Sequence, residues 1–399
     1  MKYFFILGRN PSLSIAELDA YLIKNKINFN LVSADENFLI VDADDQILNL
    51  DEHIKQLGGV IKVGIILDKI KNRAELEKLV LNYLIKYSGK IYFGFSVYTE
   101  NNKINRLAEV ALNIKKKLAE NNHPVRWVVS REKNLSSVVV EKNKLLTQGA
   151  EFVLLNDYIG VTKAVQLFEL YGEQDFGRPS RLIEGGLLPP KIGQIMINLA
   201  QAEPTDKLLD PFCGSGTILQ IAAIMGFKNL YGADASLKAV ESAKENLEWV
   251  KQKRYLTDLI CRIDSIDARN LTKTFSLESI DAIVTEPLLG PLKYQNQKYE
   301  VCKIINELSA LYLKFLTEAK KILKNNGRLI MIWPIFVVDN EVIYLPILNE
   351  VKNMGWQIIS PIQNQELKNL PFVKINPRGA LIYGRPEQKI KREIFIFEK

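Results

Sequence analysis

The chain has 399 residues, of which 47% are hydrophobic and 25% are charged, and its formal net charge is +7. This composition is ordinary for a globular protein and excludes a chain that is mainly disordered. The longest apolar runs, such as residues 3–7 and 329–333, are far shorter than the ~20 residues of a membrane-spanning helix and the about 7–15 residues of a signal-peptide core, so neither segment is expected.

Residues 1–60 predict a strand at 2–7, a helix at 14–24, a strand at 37–41 and the end of a helix at 53–57. Ser14 and Glu17 have the spacing of a capping box, which predicts that the first helix opens there. Residues 61–170 alternate between helical and strand periods. They predict helices at 74–87 and 103–120 and strands at 62–67, 91–98, 126–130, 151–156 and 159–168. These patterns indicate an α+β region, followed by a Gly-rich and Pro-punctuated linker at 171–187.

From residue 188 onward, strands and helices alternate regularly. Helices are predicted at 191–201, 217–225, 237–250, 301–324 and 345–354, and strands at 208–211, 230–234, 259–263, 280–285, 328–333 and 355–360, with a hairpin within 380–398. Such alternation is typical of an α/β fold with a doubly wound, mostly parallel sheet.

The distribution of charge and the number of cysteines bear on the partners and the cellular location of the protein. Residues 61–150 carry 17 basic and 8 acidic residues, so the positive excess is concentrated in that segment. Either the segment contacts nucleic acid or it presents a Lys-rich, solvated helix surface. Three isolated cysteines and only two histidines predict no disulfide framework and no metal site, and they favour a reducing, cytoplasmic location.

The strongest motif is the stretch from Asp210 to Thr217, which reads DPFCGSGT between a predicted strand and a predicted helix. Glycines at such a turn let the backbone approach a ligand, and the free N–H groups of the helix N-terminus point at it. Asp234 ends the next strand, twenty positions after Gly214, which is the spacing at which an acid holds a ribose diol. Asp267 follows the third strand. The alternative interpretation is three surface acids at strand ends.

Together with the GAD that ends at Asp234 and the DAR that begins at Asp267, DPFCGSGT resembles the S-adenosylmethionine site of class I methyltransferases. More narrowly, the chain resembles the RNA guanosine-N2 methyltransferases that carry a THUMP domain, including the tRNA enzymes. The likeness extends to FGRP at 176–179, LPPK at 188–191, INLA at 197–200, FILGRNP at 5–11 and LGGVIK at 57–62. It therefore covers most of the chain.

The resemblance implies a ferredoxin-like N-terminal domain at 1–60, a THUMP-like RNA-binding domain at 61–170, the linker at 171–187 and a Rossmann-like methyltransferase domain at 188–399. It implies S-adenosylmethionine as cofactor and RNA, most directly tRNA, as partner, with no membrane. The implied cofactor-binding residues are Asp210, Phe212, Gly214, Ser215, Gly216, Thr217, Asp234, Asp267 and Ala268. The implied RNA-binding residues are Lys103, Arg106, Lys115, Lys116, Lys117, Arg126, Arg131 and Lys133.

The motif after the fourth strand departs from the family. The usual pattern is Asp-Pro-Pro-Tyr-Gly, whereas this chain reads EPLLG from Glu286 to Gly290. Glu286 and Pro287 are the implied catalytic residues, since a carboxylate and a Pro carbonyl accept the hydrogens of the guanine amine. Two alternatives stay open: a methyltransferase of ribosomal RNA or of another amine, and a catalytically inactive RNA-binding relative.

Overall fold

The computed structural model describes residues 1–43, 49–98, 106–181, 188–291 and 298–399. These residues form two units: residues 1–11 with 26–168, and residues 12–25 with 169–399. The grouping differs from the predicted boundaries, because residues 12–25 belong with the C-terminal part of the chain. No helix among these residues is both long enough and apolar enough to cross a membrane.

The first unit is an α+β structure built on one sheet. Its strands are β1 (Lys2–Leu7), β2 (Phe29–Asp35), β3 (Phe38–Ala43), β4 (Val60–Lys69), β5 (Ile91–Val97), β6 (Val125–Val128), β7 (Gly149–Leu155) and β8 (Tyr158–Val165), in the order β2-β3-β1-β4-β8-β7-β5-β6. Its helices are α2 (Leu50–Lys55), α3 (Arg73–Leu84), α4 (Leu107–Glu120) and α5 (Ser137–Lys142). β1 pairs with β4, so both sides of the predicted boundary at residue 60 share this sheet.

The core of the first unit decides which side chains of α4 face water. Val110, Ile114 and Leu118 of α4 are buried with Leu76 and Val80 of α3 in one apolar cluster. Each fully buried aliphatic side chain contributes about 1.5–3 kcal/mol. Since these residues recur every three to four positions, the opposite face of α4, which carries the lysines, is left exposed.

The second unit contains the parallel sheet. Its helices are α1 (Pro11–Lys24), α6 (Phe168–Phe176), α7 (Pro190–Leu199), α8 (Thr217–Ile224), α9 (Leu237–Arg254), α10 (Lys298–Ile322), α11 (Leu348–Asn353) and α12 (Gln365–Lys368). The first residues of α1 and α6 are grouped with the first unit. Its strands are β9 (Lys207–Asp210), β10 (Asn229–Asp234), β11 (Ile260–Ser265), β12 (Ile280–Thr285), β13 (Leu323–Val338), β14 (Glu341–Tyr344), β15 (Gln357–Ile358), β16 (Leu381–Tyr383) and β17 (Ile390–Glu398).

The strand order places a ligand crevice at the end of β9. The sheet runs β11-β10-β9-β12-β13-β17-β15, with β14 on β13 and β16 on β17. β9 to β13 are mutually parallel, whereas β17 is antiparallel to β13 and β15. The chain winds from β9 toward β11 and then returns to β12 on the other side of β9. The carboxyl ends of β9 and β12 therefore border a topological switch point, and the predicted mostly parallel sheet is confirmed.

Two local predictions are corrected. The capping box at Ser14 and Glu17 is wrong, because α1 begins three residues earlier, at Pro11, whose fixed φ suits a first helical position. Glu17 is instead fully buried and accepts a hydrogen bond from Asn198 Nδ2 at 2.8 Å. The predicted linker at 171–187 contains most of α6, and its residues 182–187 lie outside the described ranges.

Candidate functional site

The turn between β9 and α8 depends on its glycines. Gly214 has φ +50° and Gly216 has φ +81°, a left-handed conformation that side chains other than glycine rarely adopt. A Cβ on Gly216 would also lie 3.3 Å from the Cα of Ala243 on α9. Gly216 caps the N-terminus of α8. The turn is thus tightly packed where the free N–H groups of a helix begin.

Asp234 fixes this turn to the end of β10. Its Oδ2 accepts from the Gly214 N–H at 3.0 Å and its Oδ1 accepts from the Ser236 N–H at 2.9 Å. Cys213 N–H adds a bond to the Ala233 carbonyl at 2.9 Å. Each carboxylate oxygen has a second lone pair, so an oriented Asp234 can still accept from ligand hydroxyls.

Two side chains that the sequence did not single out as site residues hold the other side of the turn. Asn246 Nδ2 of α9 donates to the Ser215 carbonyl at 2.9 Å. Arg178 Nη1 donates to Thr217 Oγ1 at 3.0 Å, and burial lowers the pKa of this guanidinium. FGRP at 176–179 was the only sequence signal for Arg178. Nothing marked Asn246, because its role depends on how α9 packs.

Asp210 is the buried carboxyl of the site. Its side chain is 2% exposed and accepts from Thr285 Oγ1 at 2.7 Å and from the Phe212 N–H at 3.2 Å. Its pKa is raised to about 7, mainly by burial and to a smaller extent by the charges of Asp234 and Glu286, against the two hydrogen bonds, which lower it. Burial disfavours the ionised form because the carboxylate loses its water.

The structure places Asp267 in an ion pair. Arg269 approaches its carboxylate with Nε at 2.9 Å and Nη2 at 2.5 Å, and these hydrogen bonds lower the pKa of Asp267. Ala268 beside it is buried. The rings of Phe212 and of Phe315 on α10 form a T-shaped contact, with centroids 5.1 Å apart. The role of Asp267 toward a ligand amine stays a prediction.

The EPLLG segment is held at three points. Glu286 Oε1 accepts from Arg392 Nε on β17 at 2.5 Å. The buried Tyr312 hydroxyl on α10 donates to the Leu288 carbonyl at 2.8 Å. Gly290 has φ +109°, and a Cβ there would lie 3.2 Å from Ile304, so this glycine is required by the backbone. Arg392 was missed because it lies 106 residues from Glu286 in the chain.

One cavity of about 500 Å³ joins the glycine turn to this segment. Its lining contains the following residues that the resemblance implied: Asp210, Phe212, Gly214, Ser215, Thr217, Asp234, Asp267, Ala268, Glu286 and Pro287. Gly216 is not in the lining but shapes the turn. Leu188, Ile218, Lys238 and Leu311 also line the cavity, and they were not predicted.

The described RNA-binding candidates lie in the first unit at the β6 edge of its sheet. Arg106, Lys115, Lys116 and Lys117 are exposed on or just before α4, Arg126 is on β6, and Arg131 and Lys133 follow β6. Lys117 pairs with Glu77 at 2.5 Å and Arg106 pairs with Glu109 at 3.3 Å. Lys103 lies outside the described residues.

Part of the second unit matches a known protein family. Residues 178–336 match the family UPF0020 (RMKL-like, methyltransferase domain). This part of the chain is similar to the methyltransferase domain of that family. It contains the glycine turn, the three acidic residues and the EPLLG segment, so the cavity lies within the matched residues.

Curated relatives are similar to part of this chain. The chain is 33% identical over 187 residues to the tRNA (guanine(10)-N2)-dimethyltransferase of Methanothermobacter thermautotrophicus, covering 46% of this chain and 49% of the relative. It is 30% identical over 154 residues to the tRNA (guanine(6)-N2)-methyltransferase of Thermus thermophilus, covering 37% of this chain and 39% of the relative. The chain therefore spans half or less of the length of these relatives.

A solved structure shares the fold along the whole chain. The crystal structure of TrmN from Thermus thermophilus aligns with a TM-score of 0.54 over 100% of both chains, at 16% identity. At that identity the likeness concerns the fold alone. It covers the first unit as well as the second.

Proposed function

We propose that the chain is an S-adenosylmethionine-dependent RNA methyltransferase that modifies the N2 amine of a guanosine in tRNA. One observation carries the proposal: a single cavity joins the glycine turn to Glu286 and Pro287. A cofactor in the turn would therefore meet an amine held at the EPLLG segment. The two curated relatives act on guanine N2 of tRNA according to their names, which supports this choice of substrate.

The cavity residues fit the cofactor. A volume of about 500 Å³ is typical of a small-molecule site, which ranges over about 300–1,000 Å³. Asp234 retains acceptor capacity for two ribose hydroxyls, and Leu188 and Ile218 offer apolar surface. When bound, S-adenosylmethionine supplies an electrophilic methyl group. The residues of the chain orient it and exclude water from it.

Glu286 and Pro287 supply the chemistry that a guanine amine needs. Its lone pair is delocalised into the ring, so the nitrogen is a poor nucleophile. A carboxylate and a backbone carbonyl that accept the two amine hydrogens localise the lone pair on nitrogen. The target base must be extruded from its helix to reach them. Leu288 and Leu289 form an apolar wall there in place of an aromatic ring, whose stacking is worth about 1–3 kcal/mol.

The basic residues at the β6 edge supply the proposed RNA contacts. Exposed lysines and arginines neutralise phosphates and give affinity that does not depend on sequence. Lys115 and Lys116 are both exposed on one helix. Such a surface selects an RNA by shape.

A cytoplasmic location is compatible with a tRNA substrate and with the free cysteines.

Methyl transfer from labelled S-adenosylmethionine to bulk tRNA tests the proposal. Wild type should transfer label. Asp234→Ala should lose both cofactor binding in calorimetry and transfer, because it removes the acceptor at the end of β10. Asp258→Ala is the matched control, since its carboxylate is 77% exposed, is not in the cavity lining and, among the described residues, contacts the Thr257 hydroxyl at 3.2 Å and Lys228 at 3.9 Å. Transfer to ribosomal RNA but not to tRNA would show that the proposed substrate is wrong. Cofactor binding without any transfer would favour an inactive RNA-binding relative.

A further inference from the structure

The acid of the EPLLG segment has a partner from a distant strand. Glu286 follows β12, and Arg392 lies on β17, which is separated from β12 by β13 in the sheet. The Arg392 Nε to Glu286 Oε1 distance is 2.5 Å, and the two side chains are 12% and 13% exposed. An ion pair so shielded from solvent is screened far less than a surface pair.

We propose that Arg392 is a positioning residue, which holds the carboxylate of Glu286 in the orientation that accepts a hydrogen of the substrate amine. The inference rests on the proposed function and deepens it. Glu286 lines the cavity and Arg392 does not, so Arg392 acts through Glu286 and not on the substrate.

The need for such a partner follows from the length of the side chain. Glutamate has one rotatable bond more than the aspartate of the pattern that this segment resembles, so an unrestrained carboxylate would sample more orientations. The bond from Arg392 uses Oε1. Oε2 has no hydrogen-bond partner among the described residues, so one oxygen is fixed while the other remains available to accept from an amine. Fixing the rotamer of a reacting group is what preorganises a site.

The guanidinium is itself well supported. Arg392 pairs in register with Pro334 on β13 and with Tyr383 on β16. Its guanidinium lies over the Tyr383 ring, 5.9 Å from the centroid. Two flanking strands therefore fix the backbone of Arg392, and an aromatic face restricts its side chain.

The positive charge also balances the cavity. Asp210 and Asp234 line it together with Glu286, and the charges of Asp234 and Glu286 both raise the pKa of Asp210. Like charges at close range disfavour one another. Arg392 pairs with Glu286 and so places a positive charge beside one of these three acidic side chains.

A double-mutant cycle separates positioning from simple structural support. The variants are Arg392→Gln, Glu286→Gln and the double substitution. The matched control is Arg328→Gln, which removes a different arginine–glutamate pair. Arg328 on β13 lies 3.2 Å from Glu398 on β17, and the two side chains are 16% and 26% exposed. Each protein is measured for kcat and KM with tRNA, for cofactor Kd by calorimetry and for Tm.

Arg392→Gln should lower kcat about 100-fold, the effect of a ~1 Å misplacement at a reacting group, while KM for tRNA and the cofactor Kd stay within about threefold. The double variant should be no slower than Glu286→Gln alone, because Arg392 has no other route to the reaction. Arg328→Gln should keep the wild-type kcat. Arg392→Lys, which keeps the charge without the planar fork, should fall between wild type and Arg392→Gln and covers the case in which the glutamine variant does not fold.

Two results would overturn the inference: a wild-type kcat for Arg392→Gln in an active enzyme, or effects of the two single variants that multiply in the double variant. Either leaves the proposed function standing. A wild-type protein that binds the cofactor and methylates no RNA overturns the proposed function, and this inference with it.

Discussion

Asp210→Asn is the perturbation that reports most directly on the electrostatics of the site. The asparagine Oδ1 can still accept the hydrogen bonds that Thr285 and the Phe212 N–H give to Asp210. The substitution therefore removes a charge from a side chain that is 2% exposed while conserving its volume. What changes is the coupling between proton binding and folding.

The sign follows from the raised pKa. The folded protein binds a proton at Asp210 up to a pH of about 7, whereas the unfolded chain releases it near the ordinary value of 3.8. Between those values the native state binds more protons, so the free energy of unfolding of the wild type falls as the pH rises. The loss is complete above pH 7. Between pH 5 and pH 8.5 only the roughly two pH units below the folded pKa contribute, which amounts to about 3 kcal/mol.

Urea unfolding of both proteins at pH 5 and pH 8.5 measures this term. Asp210→Asn should gain about 3 kcal/mol relative to the wild type on going to the higher pH, because all other titrating groups are shared. The fluorescence of Trp333 and Trp356, which are buried in the second unit, follows the relevant transition. A difference between the two proteins that does not vary with pH would refute the reasoning.

Three further substitutions test other parts of the site. Gly216→Ala should weaken cofactor binding at least tenfold in calorimetry, because φ is +81° there; unchanged affinity would contradict the role of the turn. Tyr312→Phe removes the bond to the Leu288 carbonyl and should cost about 1 kcal/mol of stability and lower kcat, and a wild-type kcat would exclude a role for that bond. Lys115→Ala should reduce the slope of the salt dependence of tRNA binding by about one unit. Lys117→Ala should reduce it less, because this lysine is already paired with Glu77. A slope for Lys115→Ala equal to that of the wild type would argue against RNA contact by Lys115 on α4.

Elements with a clear period were predictable from the sequence. β1 and β12 have the predicted bounds, and α8 and α10 lie within a few residues of theirs, because their apolar residues repeat at the expected spacing. β2 was not predicted, since its half-buried residues give no alternation. The start of α1 was wrong because Pro11, and not Ser14, opens the helix. Short-range signals compete with tertiary packing at such ends.

The site likewise contains local motifs that the sequence predicts and long-range contacts that it does not. The glycine turn and the acids at strand ends are local motifs, so the sequence located them, and the cavity contains them. Arg392 and Asn246 reach the site only through the order of strands and the packing of α9. No spacing rule connects Glu286 to a residue 106 positions away. Contacts of this kind depend on topology, which residue patterns predict less well than individual elements.

Nucleoside mass spectrometry of tRNA treated with the protein and isotope-labelled S-adenosylmethionine tests the central claim most directly. The digest should contain labelled N2-methylguanosine for the wild type and for Asp258→Ala, and far less of it after the same time for Glu286→Gln, which should still bind the cofactor. Label in another nucleoside, or none in any RNA despite cofactor binding, would contradict the assignment of guanosine N2 methylation to this cavity.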